Sequence, residues 1–213
     1  MRKTHIFDFD GTLVNSMPTW IAKVMNILHT TGTPYPEDIL KHIVTLGDAG
    51  TARYFRDVLG VPLSLDEMFV MMDKYALPRY SNEVPIKDGV IPYLKWLREQ
   101  GCTIHVLTAS PHKMVDPCLK RIGIFDWFGN VWSCDDFGTT KSNPDIYLQA
   151  AARIGSDPKE TVFYDDSIAA IRTANEAGLP TVGIFDDYAR DYLPDMQKES
   201  GRFAFSMDEL IGV

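Results

Sequence analysis

The fold is decided by one stretch near the N-terminus, Thr4-His5-Ile6-Phe7-Asp8-Phe9-Asp10-Gly11-Thr12-Leu13. Its first six residues, Thr4 to Phe9, form a β-rich run, and the glycine after Asp10 predicts that a buried strand stops there at a turn. Asp8 and Asp10 therefore lie where the strand ends. Two buried carboxylates this close together are costly unless a cation lies between them or one of them carries a proton. The stretch predicts a metal site or an acid/base pair at the end of a strand.

Short apolar runs and helical patterns alternate along the C-terminal part of the chain. The apolar runs predict strands over Thr103–Leu107, Asn130–Trp132, Thr161–Tyr164 and Thr181–Phe185. The helical patterns cover Gly89–Gln100, His112–Ile122, Pro144–Ile154 and Ile168–Ala177. This alternation is typical of a Rossmann-like α/β fold with a parallel sheet and helices on both faces. The ligand site of such a fold lies beyond the carboxyl ends of its strands.

The stretch between the first strand and the helix at Gly89 has helical patterns and no convincing strand. The patterns cover Pro18–Thr30, Pro36–Leu46, Thr51–Leu59 and Leu65–Tyr75. We expect the chain to return to the sheet near Ser81–Lys87, a return that Pro85 marks. The prediction is a helical cap domain, 15–85, inserted in an α/β core domain made of 1–14 and 86–213. Paired linkers of this kind permit hinge closure over a site.

Composition excludes several classes of protein. Acidic side chains number 29 against 21 basic ones, a net charge of -8, which disfavours a nucleic-acid partner because such proteins need clustered Lys and Arg. No apolar run is long enough for a membrane span, and Met1-Arg2-Lys3 leads directly into the first strand without a signal peptide. Three scattered cysteines, Cys102, Cys118 and Cys134, fit neither a disulfide framework nor a zinc site. We expect a cytoplasmic protein; its oligomeric state stays open, with a monomer favoured.

Three further groups of polar residues stand where predicted strands end. Thr108 ends the strand that begins at Thr103, and Lys141 comes shortly before a helix, in Lys141-Ser142-Asn143-Pro144-Asp145-Ile146-Tyr147. Asp165 and Asp166 follow the strand Thr161–Tyr164. A strand that ends in threonine is weak evidence alone, because turn hydroxyls often cap helices. Two adjacent buried acids, however, are hard to explain without a cation.

In this order and spacing, the four groups resemble the motifs of the haloacid dehalogenase superfamily. Asp8 to Leu13 is similar to its first motif, D-x-D-G-T-[LV], and Lys141 to Tyr147 resembles the K-P-x-P-D-x-[FY] of its phosphoglucomutase-like branch. Ser142 replaces the first proline, and Asp165 stands where glycine or glutamate is commoner. The chain is identified as a member of subfamily I with a helical C1 cap, in the beta-phosphoglucomutase and phosphoglycolate phosphatase-like branch.

The resemblance implies a magnesium-dependent phosphatase that acts on a small phosphorylated metabolite. Asp8 would attack phosphorus to form an aspartyl-phosphate, and Asp10 would protonate the leaving oxygen and then deprotonate water. Magnesium would be held by the Asp8 carboxylate, the Asp10 backbone carbonyl and Asp166, with Asp165 as an outer partner. The phosphoryl oxygens would be bound by Thr108, by backbone amides near Gly11 and Ala109, and by Lys141.

Other functions share parts of this pattern. A phosphosugar mutase of the same branch would return the phosphoryl group to the sugar, and a phosphoacceptor signalling module also combines acids, a hydroxyl and a lysine at strand ends. The stretch Leu46–Thr51 resembles the branch's cap loop, and the basic residues that its mutases carry there are missing from Gly47–Gly50, which favours a hydrolase. Four cations are candidate cap contacts, although each also fits a solvated helix surface: Arg53, Arg56, Lys74 and Arg79.

Overall fold

A computed structural model of the chain describes residues 3–43 and 46–213. Residues 44 and 45, within the predicted helix Pro36–Leu46, lie outside the described residues. The chain forms two compact units. One consists of Met1–Asn15 and Pro85–Val213, and the other of Ser16–Val84.

The first unit is built on a six-stranded sheet whose neighbouring strands are all parallel. Its strands are β1 (Thr4–Phe7), β2 (Thr103–Thr108), β3 (Asn130–Ser133), β4 (Thr161–Asp165), β5 (Thr181–Ile184) and β6 (Arg202–Ala204). Their order is β3-β2-β1-β4-β5-β6. The strands that end in the predicted site residues, β1, β2 and β4, are therefore neighbours at the centre of the sheet.

The helices, in chain order, are α1 (Met17–Thr31), α2 (Ile39–Ile43), α3 (Gly47–Asp57), α4 (Leu65–Asn82), α5 (Val90–Glu99), α6 (His112–Ile122), α7 (Asp145–Ile154), α8 (Ile168–Glu176) and α9 (Leu193–Glu199). Each predicted helix of the core domain is present, within one residue at either end. The prediction of an α/β fold with a parallel sheet is confirmed. The strand β6 and the helix α9 were not predicted.

Both faces of the sheet are covered, because alternate residues of a strand point to opposite faces. On one face, Ile6 and Phe163 lie in a buried cluster with residues of α7 and α8, among them Tyr147. On the other face, Phe7 stacks on Tyr164, with ring centroids 4.2 Å apart. Such double coverage explains why the central strands contain long apolar runs instead of an alternating pattern.

The second unit, Ser16–Val84, contains α1 to α4 and a hydrophobic cluster of its own. The helix α4 extends seven residues beyond the predicted end at Tyr75 and has Pro78 in its interior. Its buried residues, Met68, Met72, Ala76 and Tyr80, recur every four residues, so they form one apolar stripe. Burial of this stripe on both sides of Pro78 offsets the hydrogen bond that the proline cannot make.

The chain re-enters the first unit at Pro85, within the segment Ser81–Lys87 where its return was expected. The first two residues of that segment end α4, and the segment contributes no strand to the six-stranded sheet. Instead it pairs with the chain that leaves β1, through an antiparallel bridge between Val14 and Ile86. The amide of Asn15 donates to the carbonyl of Pro85 at 2.9 Å, and the amide of Lys87 donates to the carbonyl of Leu13 at 3.0 Å.

The structure also bears on a possible membrane span and on the state of the cysteines. Within residues 3–43 and 46–213, no helix is both long enough and apolar enough to cross a membrane. The cysteines Cys102, Cys118 and Cys134 are all free and buried.

Candidate active site

The register of the sheet places the predicted site residues at one edge. Phe7 of β1 pairs with Val106 of β2 and with Tyr164 of β4, and the amide of Asp8 continues this ladder by donating to the carbonyl of Tyr164 at 2.8 Å. Asp8 thus lies beside the last residues of both neighbouring strands. The strand-end residues expected to act together are brought to the carboxyl edge of the sheet.

Lys141 connects the acids of two strands. Its ammonium group donates to Oδ1 of Asp8 at 2.6 Å and to Oδ2 of Asp165 at 2.7 Å. The side chains of Asp8 and Asp165 are 5% and 1% exposed, and that of Lys141 is 15% exposed. Ion pairs with so little solvent exposure are strongly coupled, because removing one partner leaves an uncompensated buried charge.

The position of Lys141 is itself fixed by Tyr147. The hydroxyl of this buried tyrosine donates to the backbone carbonyl of Lys141 at 3.0 Å. Its ring packs edge-on against Phe163 of β4, with centroids 4.9 Å apart. The tyrosine in the third motif therefore anchors the turn that carries the lysine to the central strand.

Asp166 lies directly against the glycine turn that follows β1. The hydroxyl of Thr12 donates to Oδ1 of Asp166 at 3.1 Å. Gly11 has a left-handed φ of 73°, and a Cβ at this position would lie 2.7 Å from the carboxyl carbon of Asp166 and closer still to its Oδ2. Glycine is required at position 11 for both reasons, since it adopts positive φ without strain and leaves room for the carboxylate.

Three carboxylates form a group that fits a metal ion. Oxygen atoms of Asp8, Asp165 and Asp166 all lie within 4.8 Å of one another. Carboxylate oxygens are the ligands that Mg²⁺ prefers, with several positions usually left for water. Among the described residues, the group does not include the side chain of Asp10, which was expected to contribute its backbone carbonyl only.

Asp10 is held by a hydroxyl from the second motif. The hydroxyl of Ser110 donates to Oδ2 of Asp10 at 2.5 Å, and the amide of Ser110 donates to the hydroxyl oxygen of Thr108 at 3.1 Å. Thr108 is buried at the end of β2, whereas Ala109 is exposed. The turn after β2 thus presents an accessible backbone beside the carboxylate of Asp10.

Burial and like charge dominate the electrostatics of these groups. Burial raises the pKa of Asp8 to about 7, which Lys141 opposes and Asp165 reinforces. The pKa of Asp166 is raised well above its usual range by burial and then by Asp165 and Asp8. Burial disfavours the charged form of Lys141, but Asp165 and Asp8 outweigh it and raise the pKa of this lysine. The carboxylates therefore outnumber the positive charge close to them, a deficit that a divalent cation would offset.

Sequence reasoning missed two polar contributions to this edge. Ser110 is one of them, although a second hydroxyl two residues after a strand end could have drawn attention to it. Lys87 and Asp186, described below, form an ion pair at 3.0 Å beside the first-motif turn. No local pattern predicts that pair, because its members are separated by 99 positions in the sequence.

The residues expected in the cap lie in the second unit. The predicted loop Leu46–Thr51 is helical from Gly47 onward, because it forms the start of α3. Of the four candidate cations, Arg53, Arg56 and Lys74 are exposed, and Arg79 stacks over the ring of Tyr75 at 3.7 Å. These positions are consistent with solvated helix surfaces, and a contact with substrate stays a prediction.

A cavity of about 390 Å³ lies away from the acids. It is lined by residues at the amino ends of the strands, such as His5, Val162 and Val182, with Tyr93 and Arg202. The two edges of a parallel sheet are opposite, so this cavity is not where the strand-end carboxylates lie. We place the candidate site at the carboxylates, because buried acids and a lysine converge there at the carboxyl ends of the strands.

Comparison with known proteins agrees with the motifs. The model of the haloacid dehalogenase-like hydrolase family matches residues 3–178. A phosphoglycolate phosphatase of Rhodobacter capsulatus is 32% identical over 201 residues, which are 91% of this chain and 90% of that protein. A pyrophosphatase of Halalkalibacterium halodurans is 28% identical over 199 residues, 90% of each chain.

A solved structure shares the whole fold. The crystal structure of CbbY from Rhodobacter sphaeroides, in complex with xylulose-(1,5)bisphosphate, superposes with a TM-score of 0.84 and 20% sequence identity. The match covers 99% of this chain and 96% of CbbY. The relatives differ in the substrates that their names state, so their similarity bears on the reaction class more than on the leaving group.

Proposed function

The chain belongs to the haloacid dehalogenase-like hydrolase family, and we propose on that premise that it hydrolyses a small phosphorylated metabolite with Mg²⁺ as cofactor. Membership confirms the resemblance drawn from the four motifs. The phosphatase names of its relatives confirm the predicted enzyme class, a phosphoric monoester hydrolase. We also propose an aspartyl-phosphate intermediate and a role for each residue of the site.

One observation carries the proposal, namely the environment of Asp8. Its carboxylate is 5% exposed, accepts a hydrogen bond from Lys141 at 2.6 Å and lies in a carboxylate group of a size that fits one cation. A nucleophilic carboxylate needs neighbouring positive charge, because the phosphoryl group that it attacks is itself anionic. Lys141 supplies such charge from the protein. When bound, Mg²⁺ would supply more, as a Lewis acid toward the phosphoryl oxygens.

In the first half of the reaction, Asp8 acts as nucleophile. A carboxylate oxygen of Asp8 forms a bond to phosphorus while the bond from phosphorus to the leaving oxygen breaks, which gives an aspartyl-phosphate. Asp10 donates its proton to the leaving oxygen, so the product departs as an alcohol. The hydroxyl of Ser110 holds the carboxyl group of Asp10 in one orientation during this transfer.

In the second half, Asp10 acts as base. It takes a proton from water, the water oxygen attacks phosphorus, and the bond from phosphorus to Asp8 breaks, which releases inorganic phosphate and restores Asp8. Lys141, Thr108 and the backbone amides near Gly11 and Ala109 bind the phosphoryl oxygens throughout. The carboxylates of Asp8 and Asp166 and the backbone carbonyl of Asp10 would hold the metal ion, with Asp165 as an outer partner.

The second unit, Ser16–Val84, is the part of the chain that we propose as the cap predicted at 15–85. A core that binds little beyond the phosphoryl group leaves recognition of the leaving group to such an insertion. We also propose the cytoplasm as the location, since Cys102, Cys118 and Cys134 are all free and buried.

Phosphate release from a panel of substrates tests the function. The panel contains sugar phosphates, phosphoglycolate, pyrophosphate, nucleotides and pyridoxal phosphate, each assayed with Mg²⁺ and with a chelator. We expect Mg²⁺-dependent release from one chemical group, loss of release in Asp8→Asn, and full release in Asp126→Asn, the same change at an exposed aspartate. Borohydride reduction of the trapped enzyme, followed by peptide mass spectrometry, should label Asp8.

Each other outcome identifies a different function. Labelling of Asp8 with sugar bisphosphates but no phosphate release would indicate a mutase. Labelling by a reactive phosphodonor without turnover of any substrate would indicate a phosphoacceptor module. The catalytic assignment is wrong if Asp8→Asn retains full Mg²⁺-dependent turnover.

A further inference from the structure

Lys87 lies beside the candidate site and has no part in the proposed reaction. It lies two residues after Pro85, where the chain re-enters the first unit, and its side chain is 17% exposed. Its ammonium group donates to the backbone carbonyl of Gly11 at 2.5 Å, to the backbone carbonyl of Phe185 at 2.7 Å and to Oδ2 of Asp186 at 3.0 Å. One ammonium group thereby uses its three donors on acceptors from two separate segments.

These acceptors lie on either side of the strand that carries the metal-binding acids. Gly11 follows β1, and Phe185 and Asp186 follow β5, while β4 lies between β1 and β5 in the sheet. The side chain of Lys87 therefore bridges the loop after β4, where Asp166 lies. Asp186 is 5% exposed, and its other oxygen accepts from the amide of Tyr188 at 3.0 Å, so the far end of the bridge is anchored too.

The turn that Lys87 holds is the one that must be placed accurately. Gly11 follows Asp10, whose backbone carbonyl is a proposed metal ligand, and it lies so close to Asp166 that no Cβ fits between them. A shift of the Gly11 carbonyl would move the peptide after Asp10 and the wall against which Asp166 rests. Groups that orient metal ligands in this way typically affect metal affinity or activity by about 10–100-fold when they are removed.

We propose that Lys87 is a positioning residue for the metal site, which fixes the turn at Gly11 by binding its carbonyl and anchoring it to Asp186. The inference rests on the proposed function, because it assigns Lys87 to the site where Mg²⁺ would bind. It adds to that site a second lysine, which donates to the backbone of the first motif and to Asp186.

A purely electrostatic role for Lys87 makes different predictions. If Lys87 acts only through its charge, on Asp186 or on the nearby Asp166, then arginine should replace lysine well. If it only offsets the charge of Asp186, neutralising both residues should also restore function. If it positions the turn, neither change should help, since methionine donates no hydrogen bond to Gly11. The planar guanidinium of arginine also cannot reproduce a single point donor to three acceptors.

The experiment compares Lys87→Met, Lys87→Arg, Asp186→Asn and the double variant Lys87→Met/Asp186→Asn with wild type. Lys95→Met, the same change at an exposed lysine of α5, is the matched control. Each protein is first checked for folding by circular dichroism and thermal melting. The Kd for Mg²⁺ is then measured by isothermal titration calorimetry without substrate, and kcat and KM are measured at saturating Mg²⁺ on the substrate that wild type hydrolyses.

We expect Lys87→Met to be folded and to bind Mg²⁺ about 10–100-fold more weakly. Its kcat should fall while its KM changes little, because substrate binding groups outside the turn are untouched. Lys87→Arg and the double variant should stay impaired, and Asp186→Asn should be milder because Lys87 still binds both carbonyls.

Several results would overturn the inference. Unchanged Mg²⁺ affinity and kcat in folded Lys87→Met would do so, as would rescue by the double variant or by Lys87→Arg, which assigns Lys87 to charge compensation. If Lys87→Met does not fold, Lys87→Arg, which keeps the charge, decides by the same two measurements. Failure of wild type to show Mg²⁺-dependent turnover would instead contradict the proposed function itself.

Discussion

Replacement of Gly11 by alanine tests the close approach of the first-motif turn to Asp166. An L-residue at a left-handed φ of 73° costs about 1–2 kcal/mol. The added methyl group would also lie 2.7 Å from the carboxyl carbon of Asp166, whereas carbon atoms in contact are about 3.5–4.0 Å apart. The carboxylate must therefore move by about 1 Å. A displacement of about 1 Å in a catalytic site costs about 100-fold in rate.

Gly155→Ala is the matched control for the backbone effect. Gly155 has a φ of 77°, nearly the value of Gly11, and a Cβ there would meet nothing within 4 Å. Both variants should lose about 1–2 kcal/mol of unfolding free energy in urea titrations. Only Gly11→Ala should also lose about 100-fold in kcat/KM for phosphate release, which corresponds to about 2.7 kcal/mol.

The pair separates strain from displacement of Asp166. Gly11→Ala with wild-type kcat/KM would refute the argument, since Asp166 would then tolerate the shift. Equal losses of kcat/KM in both variants would also refute it, because the effect would follow from destabilisation alone. Calorimetric titration with Mg²⁺ gives an independent readout, in which Gly11→Ala should bind more weakly than Gly155→Ala.

Three further outcomes are expected. Lys141→Met should abolish measurable phosphate release and lower the unfolding free energy by about 3–5 kcal/mol, because Asp8 is left buried without its partner. Phosphate release at the wild-type rate would contradict the role of Lys141. Ser110→Ala should lower kcat about 10-fold with little change in KM. Ser110→Thr should recover most of the lost kcat, since its hydroxyl can again donate to Asp10. Equal kcat in the two variants would contradict the proposed role of the Ser110 hydroxyl. Burial, with a smaller contribution from a neighbouring histidine, lowers the pKa of His105 to about 4, so the unfolded chain binds a proton that the folded chain excludes. The unfolding free energy should therefore fall by up to about 3 kcal/mol as pH drops from about 6.5 to 4. His105→Gln should remove that pH dependence in urea titrations at each pH.

Most elements of the core could be predicted because their signals are local. Helix α6, His112–Ile122, has the predicted bounds, because its apolar stripe and the glycine that follows it act over a few residues. The central strands were recognisable because burial on both faces demands continuous apolar runs. By contrast, β6 has three residues, and its first, Arg202, is exposed, so its sequence resembles a loop.

The end of α4 and the pairing of the chain where it re-enters the first unit depend on tertiary contacts. Helix α4 continues past the predicted end at Tyr75, because packing of Tyr80 in its buried stripe outweighs the local cost of Pro78. Pro85 and Ile86 belong to an antiparallel pair with the chain after β1. Pairing partners at such a separation leave no mark in a local pattern.

The candidate site also contains residues whose convergence could be predicted from the sequence and contacts that could not. Asp8, Thr108 and Asp165 could be predicted to converge because the carboxyl ends of parallel strands meet at one edge. The hydrogen bond from Ser110 to Asp10 joins residues 100 positions apart, and that from Lys87 to Gly11 joins residues 76 apart. Such contacts depend on side-chain directions that only the folded backbone determines.

The antiparallel contact between Val14 and Ile86 has a consequence for how this enzyme can diversify. Because the chain leaves the first unit and re-enters it at adjacent points, Ser16–Val84 is connected to the core as the loop of a hairpin is connected to its strands. Loops of hairpins accept insertions and exchanges without altering the strands that they connect. A different insertion could thus be exchanged between Asn15 and Pro85 while every carboxylate of the proposed site keeps its place. With the cap role that we propose for this unit, selection can then change the molecule recognised separately from the bond that is broken.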